Sequence, residues 1–277
     1  MKFILYTYME RFPRRFKIKI EGYFYKGENF FMKKNIGLII AVVLILVLIG
    51  YVVASNVVQA TKKVQNPIVT MEVENFGTIE IELYPDMAPN TVANFISLIN
   101  EGYYNGLTFH RAVEGFMIQG GDKEGTGKGT VEQTIEGEFL ENGYEKNTLR
   151  HDRGVISMAR SDYSSLGLTE EGYNSAYSQF FIMTDNNTNI NGYYAGFGKV
   201  IKGMEVVDAI SKVESIQEKD EDNATESDKK DEDKENVQNP KISKITVETF
   251  GVDYGTPKRI KAFDVNSYLM KLYGLSI

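Results

Sequence analysis

The stretch FHRAVEGFMIQGGD, residues 109–122, gathers side chains that could act on a bound substrate. Arg111 carries a permanent charge on a rigid fork of donors. Gln119 adds a polar amide, and Phe116 and Met117 supply an apolar surface between the two. An apolar surface beside fixed donors can hold a substrate and stabilise charge that develops in a transition state, without a nucleophile or a cofactor. From these residues alone, the stretch is either a crowded strand or the floor of a site.

Composition removes several other classes of chemistry. The chain has no cysteine, which excludes disulfides, thiolate zinc sites and thiol catalysis, and it has only two histidines. We expect no metal and no cofactor. His110 is predicted to be structural, and His151 to be an exposed loop residue. The net charge of −7 gives no support to nucleic-acid binding.

Residues 121–130, GDKEGTGKGT, resemble a phosphate-binding loop but do not fit one. Asp122 stands where the first glycine is required, and Gly129 stands where a serine or threonine should follow the lysine. We interpret this segment as a mobile loop beside the site.

The N-terminal part of the chain has the pattern of a membrane segment. Residues 1–34 are basic, and residues 35–54 include the uncharged run IGLIIAVVLILVLIGYVVA. A bilayer-spanning helix needs about 20 apolar residues, and positive charge before it favours a cytoplasmic N-terminus. A cleaved signal is the alternative, because VQA at 58–60 resembles a cleavage site. Met32 is an alternative start, and residues 55–66 form a polar tether.

Residues 67–250 have the pattern of one mainly β domain. A hairpin around Asn75-Phe76-Gly77 is followed by a helical pattern over 88–102, short strands, a second helix near 203–213 and a last strand at 241–250. This order predicts a closed antiparallel barrel with two capping helices. The acidic residues 215–239 are predicted to be a disordered insertion. Residues 251–277 form a tail with a short helix around 265–273.

Four separated motifs carry a resemblance to a known family. Besides FHRAVEGFMIQGGD, they are GVISMAR at 154–160, SQFFIMT at 178–184 and FGKVIKGMEVVD at 197–208. The chain resembles the cyclophilin family of peptidyl-prolyl cis–trans isomerases over about residues 67–213 and 240–250. The resemblance implies a closed eight-stranded antiparallel barrel capped by two helices. With the N-terminal segment, it suggests a membrane-anchored bacterial form.

The resemblance also implies roles for individual residues. Arg111 corresponds to the catalytic arginine, and the predicted substrate-binding residues are Phe116, Met117, Gln119, Ala159, Gln179, Phe181, Ile190 and Tyr194. The sequence departs from the family at Asn189, where many members carry a tryptophan. Ile190 and Tyr194 take the place of a leucine and a histidine. These changes bear on cyclosporin binding more than on catalysis.

The predicted function is rotation of X–Pro bonds in exported proteins, with proline-containing polypeptides as clients. The alternative is a non-catalytic proline-peptide binding module or holdase chaperone at the membrane surface. We expect a monomer with no nucleic-acid partner. Its catalytic domain is expected outside the cell membrane, held by a single span, or secreted if the N-terminal segment is cleaved.

Overall fold

The computed structural model describes residues 2–8, 17–23, 40–51, 65–216 and 239–274. It divides the chain into two compact units, residues 1–63 and 64–277. The first unit contains an antiparallel hairpin of β1 (Lys2–Tyr8) and β2 (Lys17–Tyr23), and a helix α1 over 40–51. None of the helices within the described ranges is long and apolar enough to cross a membrane. The predicted span 35–54 lies partly outside those ranges.

Eight antiparallel strands of the second unit form one sheet, and they are β3 (Ile68–Val73), β4 (Gly77–Leu83), β5 (Phe109–Val113), β6 (Met117–Gly120), β8 (Val155–Met158), β9 (Phe180–Met183), β10 (Gly196–Lys202) and β11 (Ile242–Glu248). Their order in the sheet is β11-β3-β4-β10-β8-β9-β6-β5. A separate two-stranded ladder joins β7 (Gln133–Thr134) to β12 (Ile260–Lys261). The helices are α2 (Pro89–Asn100), α3 (Thr169–Tyr173), α4 (Met204–Ile210) and α5 (Val265–Leu272). Short 3-10 turns lie at Leu140–Asn142, Ser164–Leu166, Thr188–Ile190 and Glu214–Ile216.

The prediction of a closed barrel is wrong, because the sheet is a half-barrel. Its edge strands β5 and β11 share no continuous ladder, and they meet through one isolated bridge, between Thr108 and Lys241. The N–H of Phe109 donates to the carbonyl of Pro240 at 2.8 Å. Pro240 has no N–H to return, so the ladder is interrupted at this residue.

The core lies between one face of the sheet and the helices α2 and α4. Ile79, Ile81 and Leu83 alternate along β4 and are fully buried, as period-two alternation predicts. The predicted apolar stripe of α2 is also buried, and the ring of Phe95 contacts three other rings. Those rings belong to Tyr104, Phe180 and Phe197, at centroid distances of 5.1, 5.7 and 5.0 Å. Helix α2 therefore packs against strands that come from distant parts of the sequence.

The ends of the acidic insertion are described, and they are ordered. Ile216, at the start of the insertion, is 2% exposed and packs in the core. Pro240, which follows the insertion, is also buried. The predicted disordered range 215–239 therefore begins inside an ordered turn. Residues 217–238 lie outside the described residues.

Candidate active site

The site is built on one row of side chains that crosses four neighbouring strands. Arg111 of β5 is directly opposite Gln119 of β6, Gln119 is opposite Phe181 of β9, and Phe181 is opposite Ser157 of β8. Residues directly opposite each other in a sheet point to the same face. Ile118, Ile182 and Ala112 belong to the alternate row and are fully buried in the core. The register thus directs the row to the face of the sheet opposite the main core.

Arg111 is held at one end of a chain of side-chain hydrogen bonds. Its Nη1 donates to Oε1 of Gln119 at 3.2 Å and lies 4.0 Å from Sδ of Met117. Nε2 of Gln119 then donates to Oε1 of Gln179 at 2.9 Å, and Nε2 of Gln179 donates to the carbonyl of Gly127 at 3.2 Å. The two amides fix the guanidinium beside the apolar part of the site.

An apolar cluster lies next to Arg111. Met117, Phe181, Met183 and Val155 form its buried part, with 5% exposure or less. Phe116, Ile190, Tyr194 and Ala159 are half-buried and pack against it. The rings of Phe181 and Tyr194 meet edge to face, with centroids 5.5 Å apart. A small apolar ring can be gripped here while a neighbouring peptide group stays near the guanidinium.

Every predicted site residue is therefore brought to this face or its rim, although the roles remain predictions. The N–H of Ala159 donates to the carbonyl of Gln179 at 2.9 Å, so this N–H is not available to a substrate. Asn189, at the position of the missing tryptophan, is exposed in the 3-10 turn beside Ile190.

His151 is a component of the site that the sequence did not indicate. The prediction of an exposed loop residue is wrong, because His151 is 1% exposed. Its Nε2 lies 2.9 Å from Oγ of Ser157, and its ring stacks on Phe181 with centroids 6.0 Å apart. The side-chain oxygen of Asn191 accepts the His151 backbone N–H at 2.8 Å and faces Nδ1 at 3.4 Å. Burial lowers the pKa of His151 to about 4, so the ring is neutral at physiological pH.

His110 lies at an irregularity in the ladder between β5 and β6, beside Arg111. Within the described residues, its two buried ring nitrogens have no hydrogen-bonding partner. Burial lowers the pKa of His110, so it is a neutral group. The structural role of His110 stays a prediction.

The glycine-rich loop after β6 is held by Asp122. This buried carboxylate accepts the backbone N–H groups of Thr126 at 2.9 Å and Gly127 at 2.7 Å. Gly121 has a φ of +84°, and a Cβ there would collide with the carbonyl oxygen of Ser178. The loop thus presents the Gly127 carbonyl to Gln179. Among the described residues, no three histidine, cysteine, aspartate or glutamate side chains are grouped so as to hold a metal ion.

Comparison with known proteins decides which family this site represents. Residues 68–247 match the family model for cyclophilin type peptidyl-prolyl cis-trans isomerase/CLD. The chain belongs to the cyclophilin-type peptidyl-prolyl cis–trans isomerases. The matched range contains every residue of the row and of the apolar cluster. The reaction is therefore rotation about X–Pro peptide bonds.

Two relatives show the same relationship by sequence. Peptidyl-prolyl cis-trans isomerase B of Bacillus subtilis is 41% identical over 145 residues, which cover 52% of this chain and 91% of that protein. A peptidyl-prolyl cis-trans isomerase of Arabidopsis thaliana is 42% identical over 142 residues, covering 51% of this chain and 81% of its own length. A crystal structure of a cyclophilin type peptidyl-prolyl cis-trans isomerase of Cryptosporidium parvum aligns over 66% of this chain and 97% of its own. In that alignment the identity is 28% and the TM-score is 0.49. Relatives from a bacterium and a plant do not assign this cyclophilin to bacteria.

Proposed function

We propose that Arg111 catalyses X–Pro rotation by stabilising the twisted amide. An amide resists rotation by about 18–20 kcal/mol because resonance holds it flat. Resonance is lost halfway through rotation, and the prolyl nitrogen then carries a lone pair. A guanidinium donor aimed at that nitrogen stabilises the twisted state more than either planar state.

The observation that carries this proposal is the position of Arg111 relative to the apolar cluster. The cluster around Phe116, Met117 and Phe181 can hold the pyrrolidine ring. The hydrogen bond from Arg111 to Gln119 holds the guanidinium at the edge of the same cluster. No proton leaves Arg111, and no covalent bond forms or breaks.

Exchange between the cis and trans forms of a short X–Pro peptide tests this mechanism. We expect the full chain to accelerate exchange, and the Arg111→Ala variant to lose about a hundredfold or more of that acceleration. Equal activity of the two proteins would show that Arg111 is not the catalytic donor. Peptide binding without acceleration by either protein would favour the proline-peptide binding module.

We further propose that this cyclophilin is a membrane-anchored form that acts on exported polypeptides. The support is the uncharged run at 36–54, preceded by basic residues. Within it, residues 40–51 are helical and their side chains are exposed, with Leu48 66% exposed. A contiguous apolar surface of this kind favours a lipid environment. A bacterial source, as the resemblance suggested, is part of this proposal.

A further inference from the structure

The C-terminal tail lies beyond the family match, which ends at residue 247, and yet it is fastened to the catalytic domain. The side chain of Asn90 on α2 donates to the carbonyl of Lys258 at 3.0 Å and accepts the Lys258 N–H at 2.7 Å. Nε of Arg259 donates to Oδ1 of the buried Asn94 at 3.0 Å. The Arg259 guanidinium also lies over the ring of Tyr177, 5.3 Å from its centroid. The two hydrogen bonds between the Asn90 side chain and the Lys258 backbone, together with the partly buried Arg259, fix this part of the tail.

From these anchors the tail runs along β7. Ile260 is opposite Thr134 and Lys261 is opposite Gln133, and the N–H of Ala262 donates to the carbonyl of Glu132 at 3.0 Å. This short ladder sets the direction in which the chain continues. The next residue, Phe263, is half-buried.

The ring of Phe263 contacts the long loop that follows β8. Its ring lies 6.1 Å from the ring of Tyr163 in that loop and 5.8 Å from the ring of Tyr268 in α5. The start of α5 is capped by Asp264, whose carboxylate accepts the N–H of Ser267 at 2.9 Å. The aromatic contacts and the cap hold residues 263–268 in one arrangement.

A cavity of about 1100 Å³ separates this part of the tail from the catalytic face. Gln119, Ala159 and Gln179 line the cavity on the side of the catalytic row. Residues 261–266 line it on the tail side. Gln119 and Gln179 belong both to the hydrogen-bond chain that holds Arg111 and to the lining of the cavity, so the cavity opens directly beside Arg111's row of side chains.

We propose that residues 261–266 form an outer wall of the substrate groove, and that Phe263 selects clients with a large apolar side chain near the proline. This inference rests on the proposed function. Phe263 and Tyr163 together present an aromatic surface to the cavity, which gains from burying an apolar side chain of the client. The tail is thus a specificity element added to the cyclophilin domain.

The test compares two peptides that differ at one position flanking Ala-Pro, Phe in one and Ala in the other. For each flanking position in turn, kcat/KM is measured for both peptides with the full chain and with Phe263→Ala. The responsive position is the one at which the full chain prefers the Phe peptide. At the responsive position, we expect Phe263→Ala to lower kcat/KM for the Phe peptide about tenfold and to change that for the Ala peptide less than twofold. Phe263→Tyr keeps the ring and is expected to keep the preference. Leu272→Ala is the matched control on the same tail, since Leu272 is exposed and outside the cavity lining.

Three outcomes would overturn the proposal. An equal loss for both peptides would mean that the tail only supports the fold, and an equal gain would mean that it obstructs the groove. A wild-type chain with no preference at any flanking position would also contradict it. The Kd of each peptide is also measured for the Arg111→Ala variant and for the double variant that adds Phe263→Ala. These affinities measure the preference independently of catalysis. A failure of the proposed mechanism is thereby distinguished from a failure of the wall.

Discussion

Arg111 depends on residues that are remote in sequence but adjacent in the sheet. Gln119 and Phe181 occupy the next two strands in the same row, and Ser157 completes the row on the fourth. His151 lies behind this row, against both Ser157 and Phe181. A buried neutral imidazole with satisfied hydrogen bonds gives Phe181 a rigid support.

The lowered pKa of His151 predicts how stability depends on pH. Below pH 6.5 the unfolded chain protonates this histidine, whereas the folded chain resists protonation until about pH 4. The free energy of unfolding contributed by this group is fully present above pH 6.5 and falls as the pH drops towards 4. The loss is up to about 3 kcal/mol. Urea unfolding of the full chain at a series of pH values measures it.

His151→Asn is the matching control for this pH dependence. The variant is less stable at pH 7 because it leaves a gap beside Phe181, but its stability should fall less steeply between pH 6.5 and 4. Parallel curves for the two proteins would mean that His151 does not titrate as a buried neutral group.

At the residue scale, the sequence indicated the residues of the candidate site but not the residues that support them. Arg111, Gln119 and Phe181 lie in motifs, so each could be predicted from its neighbours along the chain. His151 lies in the polar stretch RHDRG, which has no apolar pattern, and its partner Asn191 is 40 residues away. Phe116 precedes β6 in a turn, so strand alternation does not determine the face on which it packs. Burial that depends on distant partners leaves no local signal.

At the scale of elements, helix α2 is capped by a carboxylate from elsewhere in the chain. Ala88 at its start provides no side-chain cap. Glu138, which is 7% exposed, instead accepts the N–H of Asn90 at 3.0 Å, and the N–H and hydroxyl of Thr91 at 2.7 Å each. The negative charge also lies at the positive end of the helix dipole.

Replacing Glu138 should therefore loosen α2. We expect Glu138→Ala to lower the free energy of unfolding by about 2–3 kcal/mol, because it leaves buried donors at the helix start unsatisfied. Glu136→Ala, at an exposed neighbouring position, should change it by less than about 0.5 kcal/mol. Urea unfolding of both variants makes the comparison, and equal effects would contradict the cap.

The elements that were predicted correctly are those with a periodic apolar face. The hairpin of β3 and β4 follows the alternation of Ile79, Ile81 and Leu83, and α2 follows its apolar stripe. The two-residue strands β7 and β12 are too short to show a period, so the docking of the tail was not predicted. Closure of the barrel was overestimated because a pattern of strands does not reveal that Pro240 interrupts the last ladder.

At the scale of the whole molecule, the two compact units predict two different behaviours in cells. We expect the full chain to sediment with membranes and to be released by detergent but not by salt, because apolar burial rather than charge would hold it. Residues 64–277 expressed alone should remain soluble and active, since the row of candidate site residues lies entirely within that unit. Fractionation followed by the exchange assay makes the measurement. A full chain recovered in the soluble fraction with an intact N-terminus would contradict the anchor.

The most direct test of the mechanism measures exchange and binding for the same peptide. Cis–trans exchange rates and the Kd of a short X–Pro peptide are determined by NMR for the full chain, Arg111→Ala and Arg111→Lys. Stabilisation confined to the twisted amide predicts a loss of exchange of about a hundredfold or more in Arg111→Ala, with Kd nearly unchanged and a partial recovery in Arg111→Lys. If exchange and affinity fall by the same factor, Arg111 binds the ground state and is not the donor that lowers the barrier.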